Sequence, residues 1–492
     1  MPQASAARNG FFHFLRAKNP SKSNCVSIDG FTAAVRRKGT VMKTALIVGM
    51  ARSGLSSARL LHADGWRLIL NDKKASVPDM EEVLAGIPYR DALGQDPAEL
   101  LAGVDIMVLS PGVPMYLPFV RQARERGVEV IGEIELGWRY SKGDFLCITG
   151  TNGKTTCTAL TGEICKKSGR RTFVLGNIGT PITQFALDTR PGDLIVAETA
   201  ALQLEGNVRF HAKAAAVCNI TEDHLDRFLT MENYIAAKCK IFDNQTAADV
   251  AVLNYDDVVV RAMANKTPAR KLYFSRRSAV DEGVFQKGAD VLYRLDGVER
   301  RLCAAAEIKI PGAHNLENAM LCSAIGISQG IAPEAVREAL MEFPGVEHRI
   351  EFVCERRGVR YINDSKGTNP DSTMKAIAAM DRPTVLLLGG FDKHSEFMEL
   401  FEAVKKGPIK AAVVLGQTAD LILQAAKATG FTAVHRCDGG FEQAVDMARD
   451  LSEPGDAVLL SPACASWDMF DNFEQRGRVF KEIVLAYPIR AT

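Results

Sequence analysis

Short apolar runs recur along most of this 492-residue chain and alternate with longer amphipathic segments. Runs such as 44–48, 145–148 and 214–218 contain mainly aliphatic and small apolar residues, which predicts buried strands. Turns rich in Gly, Asn or Ser separate them from segments whose apolar residues have helical spacing. This alternation predicts α/β units with mostly parallel sheets. The other predicted strands are 67–70, 105–109, 193–197, 250–253, 359–362, 384–388, 411–415 and 457–460.

A glycine-containing loop lies between one such strand and a predicted helix at 157–167. Its sequence at 149–156 is Thr-Gly-Thr-Asn-Gly-Lys-Thr-Thr. The glycines let backbone N–H groups turn toward an anion, Lys154 can reach the outer phosphates of a nucleotide, and the Thr155 hydroxyl can ligate Mg²⁺. Ile148 occupies the first glycine position of the full phosphate-loop pattern. We interpret the loop as a nucleoside triphosphate site, with an ordinary strand-to-helix turn as the alternative.

A second turn, near the start of the chain, has the features of a nucleotide site. Gly49 and Gly54 bound it, and Asp72 follows the next predicted strand. An acidic residue about 20 positions after such a turn contacts a ribose or base in Rossmann-like units. Ala51 replaces the middle glycine of the dinucleotide fingerprint. A nucleotide carried by some other substrate therefore fits as well as a nicotinamide dinucleotide.

Polar residues also follow other predicted strands. Glu198 ends one strand, Thr-Glu-Asp-His-Leu-Asp at 221–226 follows another, and Asn-Asp-Ser-Lys at 363–366 follows a third. Open α/β sheets bind ligands at the carboxyl ends of their strands, so Glu198 is expected to face the phosphates and help hold Mg²⁺. Two interpretations of 221–226 remain: a metal or catalytic site, and a solvated helix start capped by Thr221.

The length predicts about three domains, since 492 residues exceed what one hydrophobic core usually serves. The Pro-Gly pair after Phe343 ends a predicted helix and sets one boundary. The predicted class is α/β, with a Rossmann-like N-terminal domain (42–135), a central P-loop ATPase-like domain with a mostly parallel sheet (136–345) and a Rossmann-like C-terminal domain (346–492). Residues 1–41 are predicted to be a disordered extension, with an amphipathic targeting segment as the alternative.

Composition narrows the class of protein. The chain is 47% hydrophobic and 24% charged with a net charge of +1, which provides no global field for nucleic acid or an anionic membrane. No uncharged apolar run is long enough to span a bilayer. The 11 cysteines include no Cys-x-x-Cys pair, which favours reduced thiols in a cytoplasmic protein.

Five motifs, taken in order, resemble those of the Mur ligases, the ATP-dependent amide-forming enzymes of peptidoglycan precursor synthesis. The resemblance extends from about Lys43 to the C-terminus. The motifs are Thr-Gly-Thr-Asn-Gly-Lys-Thr at 149–155, Thr-Glu-Asp-His-Leu-Asp at 221–226, His-Asn-x-x-Asn at 314–318, His-Arg at 348–349 and Asn-Asp-Ser-Lys at 363–366. The segments 389–393 and 461–477 are most similar to those of family members that add D-glutamate.

The resemblance implies an ATP-dependent carbon–nitrogen ligase that adds D-glutamate to UDP-N-acetylmuramoyl-L-alanine through an acyl phosphate. It further implies a monomeric cytoplasmic enzyme of cell wall biogenesis, linked to cell shape and division, that uses ATP and two Mg²⁺ ions. A Mur ligase with another acceptor amino acid and an inactive nucleotide-binding homologue are the alternatives.

The resemblance also implies site residues. Catalytic roles fall to Lys154, Glu198, His224 and Lys238, the last carbamylated by CO₂, and the metal ligands would be Thr155, Glu198, His224 and Lys238. The ATP-binding set is Gly150, Thr151, Asn152, Gly153, Lys154, Thr155, Thr156, Asn318, Arg349 and Asp364. The set for the UDP substrate is Arg52, Ser53, Asp72, Lys73, Ser110, Asn177, Gln203 and His224. The set for D-glutamate is Thr368, Lys393, Ser466 and Phe473.

One segment departs from the family pattern. Where D-glutamate-adding members usually have Glu-Leu-Ser-Ser-Phe-Gln-Leu, this chain has Glu-Thr-Ala-Ala-Leu-Gln-Leu at 198–204. Ala200, Ala201 and Leu202 thus replace two hydroxyls and an aromatic ring. We expect activity to persist, with altered contacts to the muramoyl substrate.

Overall fold

Three sheets follow one another along the chain in the computed structural model. The structure describes residues 42–78, 80–392 and 395–488, so the predicted extension at 1–41 and Lys393 lie outside the described residues. The predicted α/β class with mostly parallel sheets is confirmed.

The first sheet has five parallel strands in the order β3-β2-β1-β4-β5. Its strands are β1 (Thr44–Val48), β2 (Arg67–Asn71), β3 (Arg90–Asp91), β4 (Ile106–Leu109) and β5 (Glu129–Gly132). The accompanying helices are α1 (Arg52–Ala63), α2 (Met80–Val83), α3 (Pro118–Glu125) and α4 (Glu133–Tyr140). Buried aliphatic residues fill β1 and β4, as expected for central strands covered on both faces.

The second sheet has nine strands in the order β14-β13-β12-β11-β10-β9-β6-β8-β7. They are β6 (Asp144–Thr149), β7 (Thr172–Gly176), β8 (Leu194–Glu198), β9 (Ala214–Val217), β10 (Val250–Asn254), β11 (Arg270–Ser275), β12 (Gly283–Lys287), β13 (Asp290–Leu295) and β14 (Val298–Ala304). Only the pairs β12 with β13 and β13 with β14 are antiparallel among the pairs described in this sheet. The helices are α5 (Lys154–Lys167), α6 (Ala201–Leu204), α7 (Leu225–Phe228), α8 (Met231–Cys239), α9 (Val258–Ala262), α10 (Ala313–Ser328) and α11 (Pro333–Glu342).

Strand β6 separates two hydrophobic cores in this sheet. Leu146 and Ile148 belong to the core under α5 and α10, whereas Phe145 and Cys147 belong to the core on the opposite face. Successive side chains of a strand point to opposite faces, so one apolar run serves both cores. The strand that leads into the glycine loop is therefore anchored from both sides.

The third sheet has six strands in the order β15-β16-β20-β17-β18-β19, and β15 is antiparallel to β16. The strands are β15 (Glu351–Arg356), β16 (Val359–Asn363), β17 (Thr384–Gly389), β18 (Ile409–Leu415), β19 (Val434–Arg436) and β20 (Ala457–Leu460). The helices are α12 (Pro370–Ala378), α13 (Met398–Lys406), α14 (Ala419–Thr429), α15 (Phe441–Asp450) and α16 (Phe473–Ala486). No helix in the described ranges is long and apolar enough to cross a membrane.

Two local expectations differ from the structure. Helix α5 begins at Lys154 and not at 157, because Gly153 takes a left-handed conformation (φ 86°) and starts the helix there. Thr221 does not cap a helix: His224 precedes α7, and the Thr221 hydroxyl donates to Asp371 at 3.2 Å. The Thr221 hydroxyl thus bonds to a residue 150 positions later in the sequence and not to a helix N-terminus.

A buried carboxylate in α4 links the first two sheets. Glu135 is fully buried, and its Oε2 accepts the backbone N–H groups of Val208, Arg209 and Phe210 at 3.0, 3.0 and 2.7 Å. Its other oxygen accepts from Arg139 Nε at 2.7 Å. Hydrogen bonds from these four donors compensate for the desolvation of the buried carboxylate.

We expect Glu135→Ala to lower the free energy of unfolding by about 3 kcal/mol, because three buried N–H groups and one guanidinium lose their acceptor. Urea denaturation followed by intrinsic fluorescence measures this, since Trp138 packs against Phe210 with ring centroids 6.4 Å apart. Glu129→Ala is the matched control: it also removes a partner of Arg139, but Glu129 is 46% exposed, so the expected loss is below about 1 kcal/mol. Equal losses in both variants would contradict the role given to the buried carboxylate.

Candidate active site

The glycine loop between β6 and α5, residues 150–153, is called the phosphate loop below. Both of its glycines have positive φ, 146° for Gly150 and 86° for Gly153. A Cβ at Gly153 would lie 2.6 Å from Asn318 Oδ1, so close packing against α10 requires glycine there. The loop therefore leads directly into the N-terminus of α5, where backbone N–H groups favour an anion.

Two lysine side chains donate to the same carbonyl of the phosphate loop. Lys154 Nζ lies 3.0 Å from Gly150 O and 2.7 Å from Thr151 O. Lys238 Nζ, from α8, lies 2.7 Å from Gly150 O. The amines thus flank the loop where phosphate oxygens would be received.

Lys238 is the more buried of the two lysines. Only 1% of its surface is exposed, and its amine lies 4.5 Å from the ring centroid of Tyr234. Burial and the nearby Lys154 charge hold the pKa of Lys238 well below its usual range. Its amine is accordingly favoured in the neutral form, the form that reacts with electrophiles.

Glu198 lies at the carboxyl end of β8, next to the end of β6, as the strand pattern predicts. It pairs with Ile148 in the parallel register and is 1% exposed. Asn177 Nδ2 donates to its Oε1 at 2.9 Å, while its Oε2 is buried and has no hydrogen-bond partner within the described residues. A buried carboxylate oxygen without a donor suits a cation.

His224 follows β9 and is more exposed than Glu198. Its backbone is left-handed (φ 55°), and its Nε2 lies 3.6 Å from Asp223 Oδ2. Arg227, one turn later, is bonded to Glu205 at 2.6 Å. The side chain of Asp226 is outside what the structure describes.

A cavity of about 200 Å³ opens beside the phosphate loop, between α10 and the third sheet. Asn152, Gly153, Thr156, Asn318 and Arg349, all from the predicted ATP-binding set, border it. Arg349 Nη1 donates to Ser372 Oγ at 2.8 Å, and its buried Nε has no partner among the described residues. The cavity offers amides, a hydroxyl and a guanidinium to one ligand.

His314, the first residue of the motif at 314–318, also borders this cavity. It lies inside the first turn of α10, and the N-cap is Gly312. Burial, together with the charges of Arg349 and Lys375, lowers the pKa of His314 to about 4. Its imidazole is therefore neutral at physiological pH.

Asp364, at the end of β16, is buried behind the cavity. Ser461 Oγ donates to its Oδ2 at 2.7 Å, and the Ile350 backbone N–H donates to its Oδ1 at 3.2 Å. Burial raises the pKa of Asp364 to about 6, although Arg349 opposes this shift.

Lys366 is a site residue that the motif assignments omitted, although it belongs to the Asn-Asp-Ser-Lys motif. Its Nζ donates to the Thr155 hydroxyl at 2.6 Å and lies 5.1 Å from the ring centroid of Phe473. Burial lowers the pKa of Lys366 to about 8, the Glu198 charge opposing and the Lys154 charge adding to the shift. The lysine thus connects the phosphate loop with the residues predicted to bind D-glutamate.

Asp371 is a second contact between the third sheet and the phosphate loop that the sequence did not indicate. Its carboxylate accepts hydrogen bonds from Asn152 Nδ2 and the Thr221 hydroxyl. Lys375, one turn later in α12, forms an ion pair with it at 2.9 Å. Only the folded chain brings 152, 221 and 371 together.

The residues predicted for the UDP end of the substrate surround the turn after β1. Asp72 Oδ2 accepts the Met50 N–H at 2.7 Å, and Ser110 Oγ donates to Gly49 O at 2.6 Å. Arg52 and Lys73 are exposed nearby in the chain, whereas Ser110 is buried. Ser53 begins α1 with Arg52.

Of the predicted muramoyl contacts, Asn177 directly follows β7 and Gln203 lies in α6. Asn177 donates to Glu198, and Gln203 Oε1 accepts the Ala200 N–H at 3.0 Å. Ala201 is buried in a small cluster with Phe228 and Tyr234, against which Leu202 also packs. The two apolar replacements therefore contribute packing.

Three of the four residues predicted for D-glutamate follow strands of the third sheet. Thr368 follows β16, and Ser466 and Phe473 follow β20. Thr368 N donates to Lys366 O at 2.9 Å, Ser466 is 2% exposed, and Phe473 begins α16. Lys393 lies outside the described residues. Arg476, to which the motifs assigned no role, is 1% exposed. It donates to Ser365 Oγ and to the carbonyls of Ser365, Cys464 and Ala465.

Three family models match successive parts of the chain. They are the Mur ligase MurD-like N-terminal domain at residues 43–132, the Mur ligase middle domain at 148–326, and the Mur ligase glutamate ligase domain at 348–464.

Curated relatives match over nearly their full length. The chain is 45% identical over 446 residues to the UDP-N-acetylmuramoylalanine--D-glutamate ligase of Alkaliphilus oremlandii, covering 90% of this chain and 98% of the relative. The proteins of the same name from Pelotomaculum thermopropionicum and Clostridioides difficile are 46% and 44% identical, with 99% and 98% of their lengths covered.

Solved structures show the same fold at low identity. The UDP-N-acetylmuramate-alanine ligase of Thermotoga maritima has a TM-score of 0.58 and 18% identity, covering 91% of this chain and all of that chain. The pseudomurein peptide ligase type C of Methanothermus fervidus has the same TM-score and identity, covering 90% and 99%. The chain matches all three family models, and its similarity to curated ligases extends over nearly their full length. It therefore belongs to the Mur ligase family.

Proposed function

We propose that this chain adds D-glutamate to UDP-N-acetylmuramoyl-L-alanine, with ATP hydrolysed to ADP and phosphate, in peptidoglycan precursor synthesis. The observation that carries the proposal is the extent of the similarity: relatives bearing the D-glutamate ligase name are 42–46% identical across all three sheets. A cytoplasmic monomer, binding no nucleic acid and not inserted in a membrane, fits this activity and the near-neutral charge of the chain.

The reaction proceeds in two steps. The substrate carboxylate attacks the γ-phosphorus of ATP, giving an acyl phosphate and ADP. The D-glutamate amine then attacks the acyl carbon, and the tetrahedral intermediate expels phosphate and loses a proton to form the amide. Both steps bring anions together, so the protein contributes cations and positioned donors.

Lys154 and Lys366 supply the cations in this proposal. Lys154 neutralises the transferred phosphate from the loop side, after its amine leaves the carbonyls of Gly150 and Thr151. Lys366 reaches the same region from the third sheet, since it already contacts Thr155. Its position between Thr155 and Phe473 suits the acyl phosphate as it meets the amine.

Mur ligases use ATP and Mg²⁺, and the residues present fit the metal. The orphaned Oε2 of Glu198 and the Thr155 hydroxyl are oxygen ligands of the type that Mg²⁺ prefers. In the proposal these two hold one ion, and His224 with modified Lys238 holds a second. Bound Mg²⁺ withdraws charge from the phosphate oxygens.

In this proposal Lys238 is carbamylated, and the burial of its amine supports the modification. A neutral amine adds CO₂ to form a carbamate and releases one proton, and burial already favours the neutral amine. The product is an anionic oxygen ligand on a residue whose ammonium form would repel Mg²⁺. The modification also adds a negative charge to a side chain that contacts Gly150.

The remaining assignments divide among three ligand parts. Gly150, Thr151, Asn152, Gly153 and Thr156 cradle the phosphates of ATP, and Asn318, Arg349 and Asp364 hold its nucleoside. Arg52, Ser53, Asp72, Lys73 and Ser110 hold the uridine diphosphate, and Asn177, Gln203 and His224 hold the muramoyl-alanine. Thr368, Lys393, Ser466 and Phe473 receive D-glutamate, whose two carboxylates need charged or hydroxyl partners once water is excluded.

Phosphate release tests the acceptor. With ATP, Mg²⁺ and UDP-N-acetylmuramoyl-L-alanine, we expect turnover with D-glutamate and none with L-glutamate, L-lysine or diaminopimelate. Turnover with a different amino acid would keep the family and overturn the acceptor. No turnover with any of them, while ATP still binds, would favour the inactive homologue.

A ¹³C NMR spectrum in ¹³C-bicarbonate tests the modification of Lys238. We expect a carbamate carbon signal in the unmodified sequence, its loss in Lys238→Ala, and a drop in phosphate release of about 100-fold or more because one metal ligand is lost. Lys240→Ala is the matched control: this partly exposed neighbour pairs with Asp243 at 3.8 Å, and its removal should leave both signal and activity. A signal that persists in Lys238→Ala would exclude carbamylation at this site.

Lys366→Met tests the role proposed for Lys366, whose contact with Thr155 is seen only in the structure. The substitution keeps the length of the side chain and removes its charge, so we expect kcat to fall about 100-fold with a smaller change in KM for UDP-N-acetylmuramoyl-L-alanine. Lys410→Met, which removes a lysine bonded to Asp456 in the same sheet, should keep full activity. An unchanged kcat in Lys366→Met would remove this lysine from the mechanism.

A further inference from the structure

Three cysteine thiols lie beneath the phosphate loop and have no part in the proposed reaction. Cys157 is in the first turn of α5, Cys218 follows β9, and Cys322 is in the middle of α10. All three are free and buried. The Sγ atoms of Cys157 and Cys218 are 3.7 Å apart, which is van der Waals contact.

Both cysteines of this close pair contact groups that shape the nucleotide cavity. Cys218 borders the cavity and is 3% exposed. A Cβ at Gly150 would lie 2.9 Å from Cys218 Cβ, so the phosphate loop packs directly on this residue. Cys157 Sγ donates to Asn318 Oδ1 at 3.3 Å.

We propose that Cys157 and Cys218 are a modification site: a peroxide that enters the nucleotide cavity converts them into a reversible disulfide, and the disulfide weakens nucleotide binding. The inference rests on the proposed function only in taking this cavity as the ATP site.

The chemistry balances with hydrogen peroxide as the oxidant. The Cys218 thiol attacks one peroxide oxygen, giving a sulfenic acid and one water. The Cys157 sulfur then attacks the sulfenic sulfur, the S–O bond breaks, and a second water forms with the remaining thiol proton. The two sulfurs together lose two electrons, and the two peroxide oxygens gain them.

The order of the steps follows from access. Cys218 borders the cavity, whereas Cys157 is fully buried beneath it. Cys157 therefore reacts second, and ATP in the cavity should protect the pair by blocking the path to Cys218.

The geometry gives the disulfide its effect on binding. The sulfurs must approach one another by about 1.7 Å to reach bonding distance. We expect that movement to shift the first turn of α5 or the end of β9, whose Cys218 N–H donates to Thr149 O at 2.9 Å. The phosphate loop leads into α5 and packs on Cys218, and a displacement of about 1 Å in such a site costs on the order of 100-fold in activity.

The test treats the full chain with hydrogen peroxide, with and without ATP, and then with dithiothreitol. Peptide mass spectrometry without reduction identifies the cross-link, and a fluorescent ATP analogue measures nucleotide binding without any acceptor substrate. We expect a peptide pair joining Cys157 to Cys218, a loss of binding of at least about tenfold, protection by ATP, and recovery on reduction.

Variants separate this pair from the other thiols. Cys157→Ala and Cys218→Ala should each keep nucleotide binding after peroxide, while Cys147→Ala, a buried thiol of β6 on the opposite face of the sheet, should lose binding as the unmodified sequence does. If an alanine variant does not fold, the mapped cross-link decides alone. A cross-link of Cys157 to Cys322, no cross-link, or a cross-link that leaves binding unchanged would each overturn the proposal. None of these results depends on which amino acid the enzyme accepts, so failure here is distinct from failure of the proposed function.

Discussion

Concentration of positive charge at one loop is the constraint on which the rest of the site depends. Lys154, Lys238 and Lys366 approach the phosphate loop from the start of α5, from α8 and from the third sheet, and their amines donate to carbonyls and a hydroxyl. Carbonyl acceptors compensate an ammonium poorly compared with a carboxylate or phosphate. Burial lowers the pKa values of Lys238 and Lys366, and the charge of Lys154 adds to both shifts. An anionic ligand would stabilise the charged forms of Lys154 and Lys366.

The same loop joins the second and third sheets. Lys366 lies between β16 and α12, and Asp371 lies in the first turn of α12. Lys366 bonds to Thr155 in the first turn of α5, and Asp371 bonds to Asn152 in the phosphate loop. Binding of a nucleotide must exchange these contacts for contacts with phosphate, because the Thr155 hydroxyl cannot serve Lys366 and a metal in the same way. The position of the third sheet is therefore coupled to the contents of the loop.

How much the sequence predicted depended on whether a residue acts through its neighbours in the chain. The α/β class, the glycine loop and the place of Glu198 at a strand end followed from local patterns, and the structure agrees with them. Lys366, Asp371 and Arg476 were missed because their partners are distant in sequence: Thr155 is 211 residues from Lys366. The start of α5 was misplaced because the left-handed Gly153 depends on Asn318 packing against it. The roles of the motif residues came from resemblance to a family, since spacing alone does not distinguish a buried lysine from a surface one.

The departure at Ala200, Ala201 and Leu202 gains a second meaning from the packing. Ala201 lies at 3% exposure against Phe228 and Tyr234, and the Tyr234 hydroxyl is 3.2 Å from Thr151 Oγ1. The Lys238 amine also lies over the Tyr234 ring. Ala201 therefore belongs to the layer that supports Lys238, and its methyl group brings no polar atom to that layer. The departure at 198–204 thus lies next to the support of this lysine as well as to the predicted muramoyl contacts.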